Sequence, residues 1–411
     1  MRRLHCHKEI MPSATATTTA PAVKSTRPSR YRSNEKQDLE AFKKAVSRQT
    51  DAALHPNAVS VANNVPIYNA SKFDLSDDTF VETITDELYD VLSEGPGVYV
   101  LERFYEDDAL LNRINEVYNK IIEREAVNGG GGDHFAAKGS NSRIWNSFSK
   151  HALEDPDSFY QYFSNPLFKV VCESWLGPAF RMTTQVNIVR PGGKPQTSHR
   201  DYHLGFQTKE ACAKWPKSMH HTSALLTLQG AVAHSDMPLE SGPTRVLPYS
   251  QTFAPGFMAY RDPDFDEHFL KSWVSVPLKK GDAVFFSPAL HHAAGENTTK
   301  DIHRSNNLIQ VSSAFGKPME IIDTMPLVNK TWDKLQAEYT KKGGFTPEIE
   351  AFICNLGEGY PFPTNLDRRQ PGPDGMAPES EQELLRRGLQ EGWSRERIMQ
   401  EFADMREASK A

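Results

Sequence analysis

Between about residue 180 and residue 318 the chain is cut into short runs rich in β-branched and aromatic residues, each closed by Gly, Pro or Asp. FRMTTQVNIV, ALLTLQGAVAH, TRVLPYS, WVSVPLK, DAVFFSP and SNNLIQVSSAF follow one another at moderate spacing, with no self-similar repeat. Several short strands separated by turn signals predict a sandwich or barrel. The expected fold is therefore mainly β with flanking helices.

The flanks read differently. FVETITDELYDVLSEG has apolar residues at helical spacing and stops at Gly95; VYVLERF follows as a strand and DDALLNRINEVYNKIIEREA as a second amphipathic helix. PLFKVVCESWLG is a further helical stretch. Gly129 to Gly132 is a loop, since no GK[ST] follows it and no strand leads into it. Residues 1–70 are poor in aromatics and rich in Thr, Ser, Ala and charge, so they are expected to be a disordered leader. That leader lacks the apolar helical face of a transit peptide, and the closing Ser409-Lys410-Ala411 misses a peroxisomal signal by its last residue. After Pro363 the run RRQPGPDGMAPES is a linker, followed by one or two amphipathic helices expected to pack on the body. The expected division is a leader over 1–70, a catalytic domain over 71–362 with its β core at about 180–318, and a linker and helical tail over 363–411.

Composition narrows the partners. A net charge of −6, with acidic and basic residues mixed along the chain, leaves no electrostatic footprint for nucleic acid or a membrane surface. No apolar run approaches the roughly 20 residues of a membrane helix. The four cysteines lie far apart without a CxxC pair, which argues against disulfide scaffolds and thiolate zinc and for a reducing, cytoplasmic setting. A small-molecule substrate is the expected partner, and the oligomeric state stays open.

The chemistry concentrates in three places. His199-Arg200-Asp201 follows the turn PGGKPQTS, and residues two apart on a strand point to one face, so the histidine and the carboxylate can reach one metal ion. Non-haem iron(II) oxygenases add one more histidine and leave positions open for co-substrate and oxygen. GDAVFFSPALHHAAGEN supplies His291 and His292 about ninety residues downstream, of which only one faces the metal because adjacent strand residues face opposite sides. Arg304 opens the next β-like run. GENTTKDI reads as the connection of a hairpin that would set Arg304 beside the histidine, where its planar fork can pair with the distal carboxylate of 2-oxoglutarate.

With these segments in view the sequence resembles the phytanoyl-CoA dioxygenase family. HRDYH is similar to that family's HxD segment. ESGPTRVLPYSQ is similar to its Asn-Gly-Pro…Val-Pro-Gly-Ser-His turn, departing at Glu240-Ser241 and Tyr249-Ser250-Gln251. GDAVFFSPALHHAAGEN aligns with its GD…FF.P…HG.G.N segment in a way that selects His292. The resemblance covers roughly residues 80–320. It implies a double-stranded β-helix, a cupin-like jelly-roll barrel, with Fe(II) on His199, Asp201 and His292 and with 2-oxoglutarate and O2 as co-substrates. It also implies polar co-substrate contacts on the strand before HxD, where Asn187 and Gln185 share a face, and a basic contact at Arg143. His203 shares the strand parity of the ligands and is expected to face substrate; Trp215, in the insert after it, is expected to wall the substrate pocket. Because Asp201 keeps the carboxylate that related halogenases lack, hydroxylation or another oxidation is favoured. The rivals are a cupin barrel with other metal chemistry and a non-catalytic binding protein. No basic cluster marks a coenzyme A phosphate site, and the inserts at 203–222 and 254–273 do not announce a ligand.

Overall fold

The computed structural model describes residues 29–127 and 141–411; Cys6, the glycine run Gly129–Gly132 and the leader up to residue 28 lie outside them. Ten strands are present among the described residues: β1 (Ser60–Ala62), β2 (Val65–Asn69), β3 (Val98–Glu102), β4 (Asn141–Ile144), β5 (Arg181–Val189), β6 (Thr227–Ala233), β7 (Arg245–Val246), β8 (Ala283–Phe286), β9 (His292–Ala293) and β10 (Arg304–Ser312). Eight form one sheet in the order β1-β2-β3-β8-β6-β10-β5-β4, and β7 pairs with β9 in a second, smaller one. All pairs are antiparallel except β2 with β3. The small sheet is widened by bridges from His199 to His292 and from Val274 to Val246. Two facing sheets of this kind make the double-stranded β-helix.

The large sheet is covered on both sides, which explains why β5 and β10 read as almost continuous buried runs. On one face Met182, Val186, Ile309, Val311, Leu228 and Phe285 join the main core under the helices. On the other, Val65, Val100, Val284, Phe286 and Ala231 pack with Val246 and Leu290 from the small-sheet side. Helix Asp78–Ser93 shows how the covering helices are specified. Asp77 caps it by accepting from the Thr79 and Phe80 amides, and Ile84, Leu88, Val91 and Leu92 form one buried stripe.

Two sequence expectations change here. Part of the supposed leader is built into the fold: Asn63 and Asn64 turn β1 into β2 with φ of 52° and 69°, and β2 adds to the large sheet beside β3. Asn tolerates the left-handed region that such tight hairpins need. Low aromatic content hid this segment, because its stability comes from β3 and not from its own composition. The hairpin expected between His292 and Arg304 also does not form. β9 pairs with β7, whereas β10 pairs with β5 and β6, so the connection crosses from one sheet to the other. Beyond residue 363, helices Glu381–Gln390 and Arg395–Ser409 bury Leu384, Leu385, Leu389, Ile398 and Phe402 in the main core. Among the described residues no helix is long and apolar enough to cross a membrane.

Candidate metal centre

His199 and His292 face each other as a bridged pair in which each backbone amide donates to the other's carbonyl, at 2.9 and 3.1 Å. Their rings lie 4.4 Å apart between centroids. The Asp201 amide donates to the Pro288 carbonyl at 2.9 Å, which ties the other end of the HxD segment to the turn before His292. As a result one ligand atom from each of His199, Asp201 and His292 lies within 4.8 Å of the others. Asp201 Oδ2 is 3.7 Å from His199 Nε2 and 3.5 Å from His292 Nε2.

The surroundings fix which atoms face inward. His199 Nδ1 is 2.9 Å from the Thr197 carbonyl and His292 Nδ1 is 2.8 Å from the Leu290 carbonyl. A carbonyl only accepts, so each Nδ1 carries the proton and each Nε2 turns a lone pair toward Asp201, the tautomer a metal needs. Gln229 Nε2 donates to Asp201 Oδ2 at 2.7 Å and to Gln310 Oε1 at 2.9 Å. Burial by itself would raise the Asp201 carboxyl, but His199 and then His292 outweigh it and hold the group well below the usual range. Burial pulls His199 down, yet Asp201 reverses the direction and its net shift is upward. His292 goes down, through burial and then His199. One carboxylate between two imidazoles of unlike basicity is a donor set of two nitrogens and one oxygen, which suits iron(II).

His291 points the other way. It is fully buried beside Phe42, at 5.4 Å between ring centroids, and both its ring nitrogens lack a partner. Burial, then Arg200, pushes it well below the ordinary histidine value. An apolar pocket and a neutral ring make it a packing residue.

The metal triad opens into a cavity of about 640 Å³ that Arg143, Gln185, Asn187 and Arg304 also line. Arg304 is 3% exposed. Its hydrogen-bond partners are the Ser241 and Gly295 carbonyls, at 3.3 and 3.4 Å, and no carboxylate among the described residues faces it. Those carbonyls meet there because Gly242 and Gly295 approach so closely that a Cβ on Gly295 would lie 2.8 Å from Gly242. Burial alone pushes the guanidinium down to about 10. A buried cation with two weak acceptors is a ready seat for an anion, and 2-oxoglutarate supplies one. Arg143 lies over the Trp145 ring and donates to Gln185 Oε1, and β4 and β5 set it opposite Asn187.

His203 and Trp215 do not reach the cavity, contrary to expectation. Extended structure ends at Asp201; His203 begins a short 3-10 helix with φ of 51° and stacks on Tyr202 at 4.0 Å, so strand parity no longer governs it. Trp215 is 41% exposed, and its indole donates outside the cavity to Gln207. The insert contributes Gly205 and Phe206 to the wall instead, and the second insert contributes Tyr260 and Arg261. Sequence reasoning also missed Gln229, Asn306 and Gln310. The last two follow from Arg304 by strand parity; Gln229, inside TLQGAVA, carried no such signal.

A family model described as phytanoyl-CoA dioxygenase matches residues 93–305, just over half of the 411 residues. The chain is 26% identical over 250 residues to Dioxygenase trt7 of Aspergillus terreus, covering 57% of this chain and 79% of that protein. It is 24% identical over 185 residues to Dioxygenase andF of Emericella variicolor, covering 41% of this chain but spanning only 58% of that relative's length. Among solved structures it is similar to the non-heme alpha ketoglutarate dependent carbocyclase SnoK from nogalamycin biosynthesis, with TM-score 0.43, 19% identity and coverage of 57% and 86% of the two chains. It is similar also to the epimerase SnoN, with TM-score 0.39, 17% identity and coverage of 57% and 84%. The chain belongs to the phytanoyl-CoA dioxygenase family of iron(II)- and 2-oxoglutarate-dependent oxygenases.

Proposed function

We propose that this protein is an iron(II)- and 2-oxoglutarate-dependent dioxygenase that hydroxylates a small molecule with release of succinate and carbon dioxide. His199, Asp201 and His292 hold the metal and Arg304 holds the co-substrate. One observation carries the reading: two imidazole Nε2 atoms and a carboxylate converge in the same cavity as a buried guanidinium with no acid partner among the described residues. Packing requires none of these, and an uncompensated buried cation costs several kcal/mol by rough measure.

When bound, iron with 2-oxoglutarate and O2 supplies the oxidising power for C–H cleavage, which no side chain offers. The protein's part is placement. The Thr197 and Leu290 carbonyls keep both Nε2 atoms unprotonated, and Gln229 stops the Asp201 carboxylate from rotating. His199, Asp201 and His292 would hold the metal, and the cavity beside them would admit the keto acid and oxygen. Arg304 takes the distal carboxylate, and Asn187, Gln185 and Arg143 stand along the same wall as further polar contacts to the co-substrate. Phe286, Leu308 and Ala231 line the cavity beside them and exclude water from the reacting centre.

The test is anaerobic loading with Fe(II) and 2-oxoglutarate, followed by oxygen and a panel of candidate metabolites. Succinate release that rises with one of them, and vanishes in Asp201→Ala, is the expected result. Unchanged substrate-coupled succinate release in Asp201→Ala would sink the assignment.

A further inference from the structure

Arg304, Asn306, Leu308 and Gln310 alternate along β10 and all four line the cavity. Six residues of strand separate the first from the last, roughly 20 Å at ~3.3 Å per residue. The cavity therefore has two ends on one strand. The Arg304 end is flanked by Asn141, Val189 and Ala294, and the Gln310 end lies opposite Gln229 and, through it, beside Asp201.

The hydrogen bonds at the second end settle which way two amides face. A carboxylate only accepts, so the atom Gln229 turns to Asp201 Oδ2 is its NH2. The second hydrogen of that group meets Gln310, so the atom there is Oε1. Gln310 Nε2 is what remains, with no acceptor among the described residues, on the wall of the cavity. Gln310 is 9% exposed, and β6 sets it directly opposite Gln229. Its amide cannot flip without losing the hydrogen bond that Oε1 accepts from Gln229. A donor pinned in this way selects an acceptor. The walls also carry apolar and aromatic surface at Trp145, Phe206, Phe286, Leu308 and Met319, alongside the cationic Lys194, Arg200 and Arg261.

Resting on the functional reading above, we propose that the Gln310 end is the substrate end. It takes an apolar, ring-bearing molecule whose carbonyl oxygen accepts from Gln310 Nε2, while Gln229 couples that contact to Asp201. Gln310 is then a specificity-determining residue and Gln229 a positioning residue.

The experiment uses the full chain as its anaerobic Fe(II)–2-oxoglutarate complex. The probes are camphor and camphene, bicycles of similar size with and without a carbonyl, and binding is read from the perturbation of the complex's charge-transfer absorption. Wild type should favour camphor about five-fold, the worth of one neutral hydrogen bond. Gln310→Leu should abolish that preference while 2-oxoglutarate affinity stays within about twofold, because the lost contact is not to the co-substrate. Gln310→Glu keeps an acceptor for Gln229 but turns a carboxylate oxygen to the cavity. With borneol, the alcohol of the same bicycle, as a third probe, this variant should bind borneol in preference to camphor, a change that a loss of packing does not produce. The proposal is overturned if wild type does not bind camphor at millimolar concentration, if the preference survives in Gln310→Leu, or if that variant weakens 2-oxoglutarate as much as camphor. Failure of wild type to bind 2-oxoglutarate would remove the functional reading itself, and this proposal with it.

Discussion

Replacing Arg304 with methionine separates binding from stability at a single position. The guanidinium is 3% exposed, and burial alone pushes it down to about 10. At ~1.4 kcal/mol per pH unit, that fall corresponds to roughly 3–4 kcal/mol of desolvation that the ligand-free protein does not recover. Methionine replaces the apolar stem of the arginine without its charge, and it gives up only two weak contacts, at 3.3 and 3.4 Å. The ligand-free fold should therefore gain roughly 1–3 kcal/mol in urea unfolding at pH 7. With 2-oxoglutarate the sign reverses. Removing one partner of a buried charge pair costs about 3–5 kcal/mol, so the dissociation constant should rise by roughly two to three and a half orders of magnitude. Calorimetric titration with 2-oxoglutarate in the presence of Zn(II), alongside denaturation without it, reads both quantities. A 2-oxoglutarate affinity within threefold of wild type, or a ligand-free Arg304→Met protein less stable by more than ~1 kcal/mol, would refute the reasoning.

Three further outcomes follow from the geometry. His292→Leu should abolish Fe(II) binding in an anaerobic metal titration. His291→Leu should retain it at undiminished stability, because its two buried ring nitrogens have no partner to lose. Gly205→Ala should weaken metal affinity at least about ten-fold with helical content unchanged by circular dichroism: the added Cβ falls 1.9 Å from the Arg200 carbonyl, between the two HxD ligands, and relieving such overpacking costs ~1–3 kcal/mol. Acid should destabilise the metal-free protein already below pH 6.5. Burial holds His151 and His234 down to about 3, so between 6.5 and 3 the unfolded chain binds protons at these sites that the folded chain does not. Each histidine then contributes a loss of ~1.4 kcal/mol per pH unit, and His234→Gln should flatten the urea-measured slope by about one such share; an unchanged slope would contradict this.

The site was legible in the sequence to the extent that strand parity governs it. Alternation along β5 placed Gln185 and Asn187 on one face, and the two-residue spacing of His199 and Asp201 brought both beside His292. Parity is a local property of extended chain, and it fails where extension stops. His203, two residues past Asp201, obeys a 3-10 turn and leaves the cavity. Trp215 failed for a related reason, since an insert of short helices turns only Gly205 and Phe206 inward. Composition failed over residues 60–69, where β2 is held by a neighbour thirty-odd residues away in sequence.

From its own order of residues the chain settled that a β core would form, that a histidine and a carboxylate would share a face, and that a histidine pair and an arginine would follow at the next strand ends. Each of these depends on backbone periodicity, which neighbours in sequence dictate. What tertiary structure decided was the company those groups keep. The strand with His292 and the strand with Arg304 belong to different sheets and meet only because those sheets face each other. Gln229 reaches Asp201 across three intervening helices, and no carboxylate among the described residues arrives opposite Arg304. Such meetings, and such absences, arise from the packing of segments remote along the chain, where free energy depends on burial and charge in three dimensions and not on spacing in one.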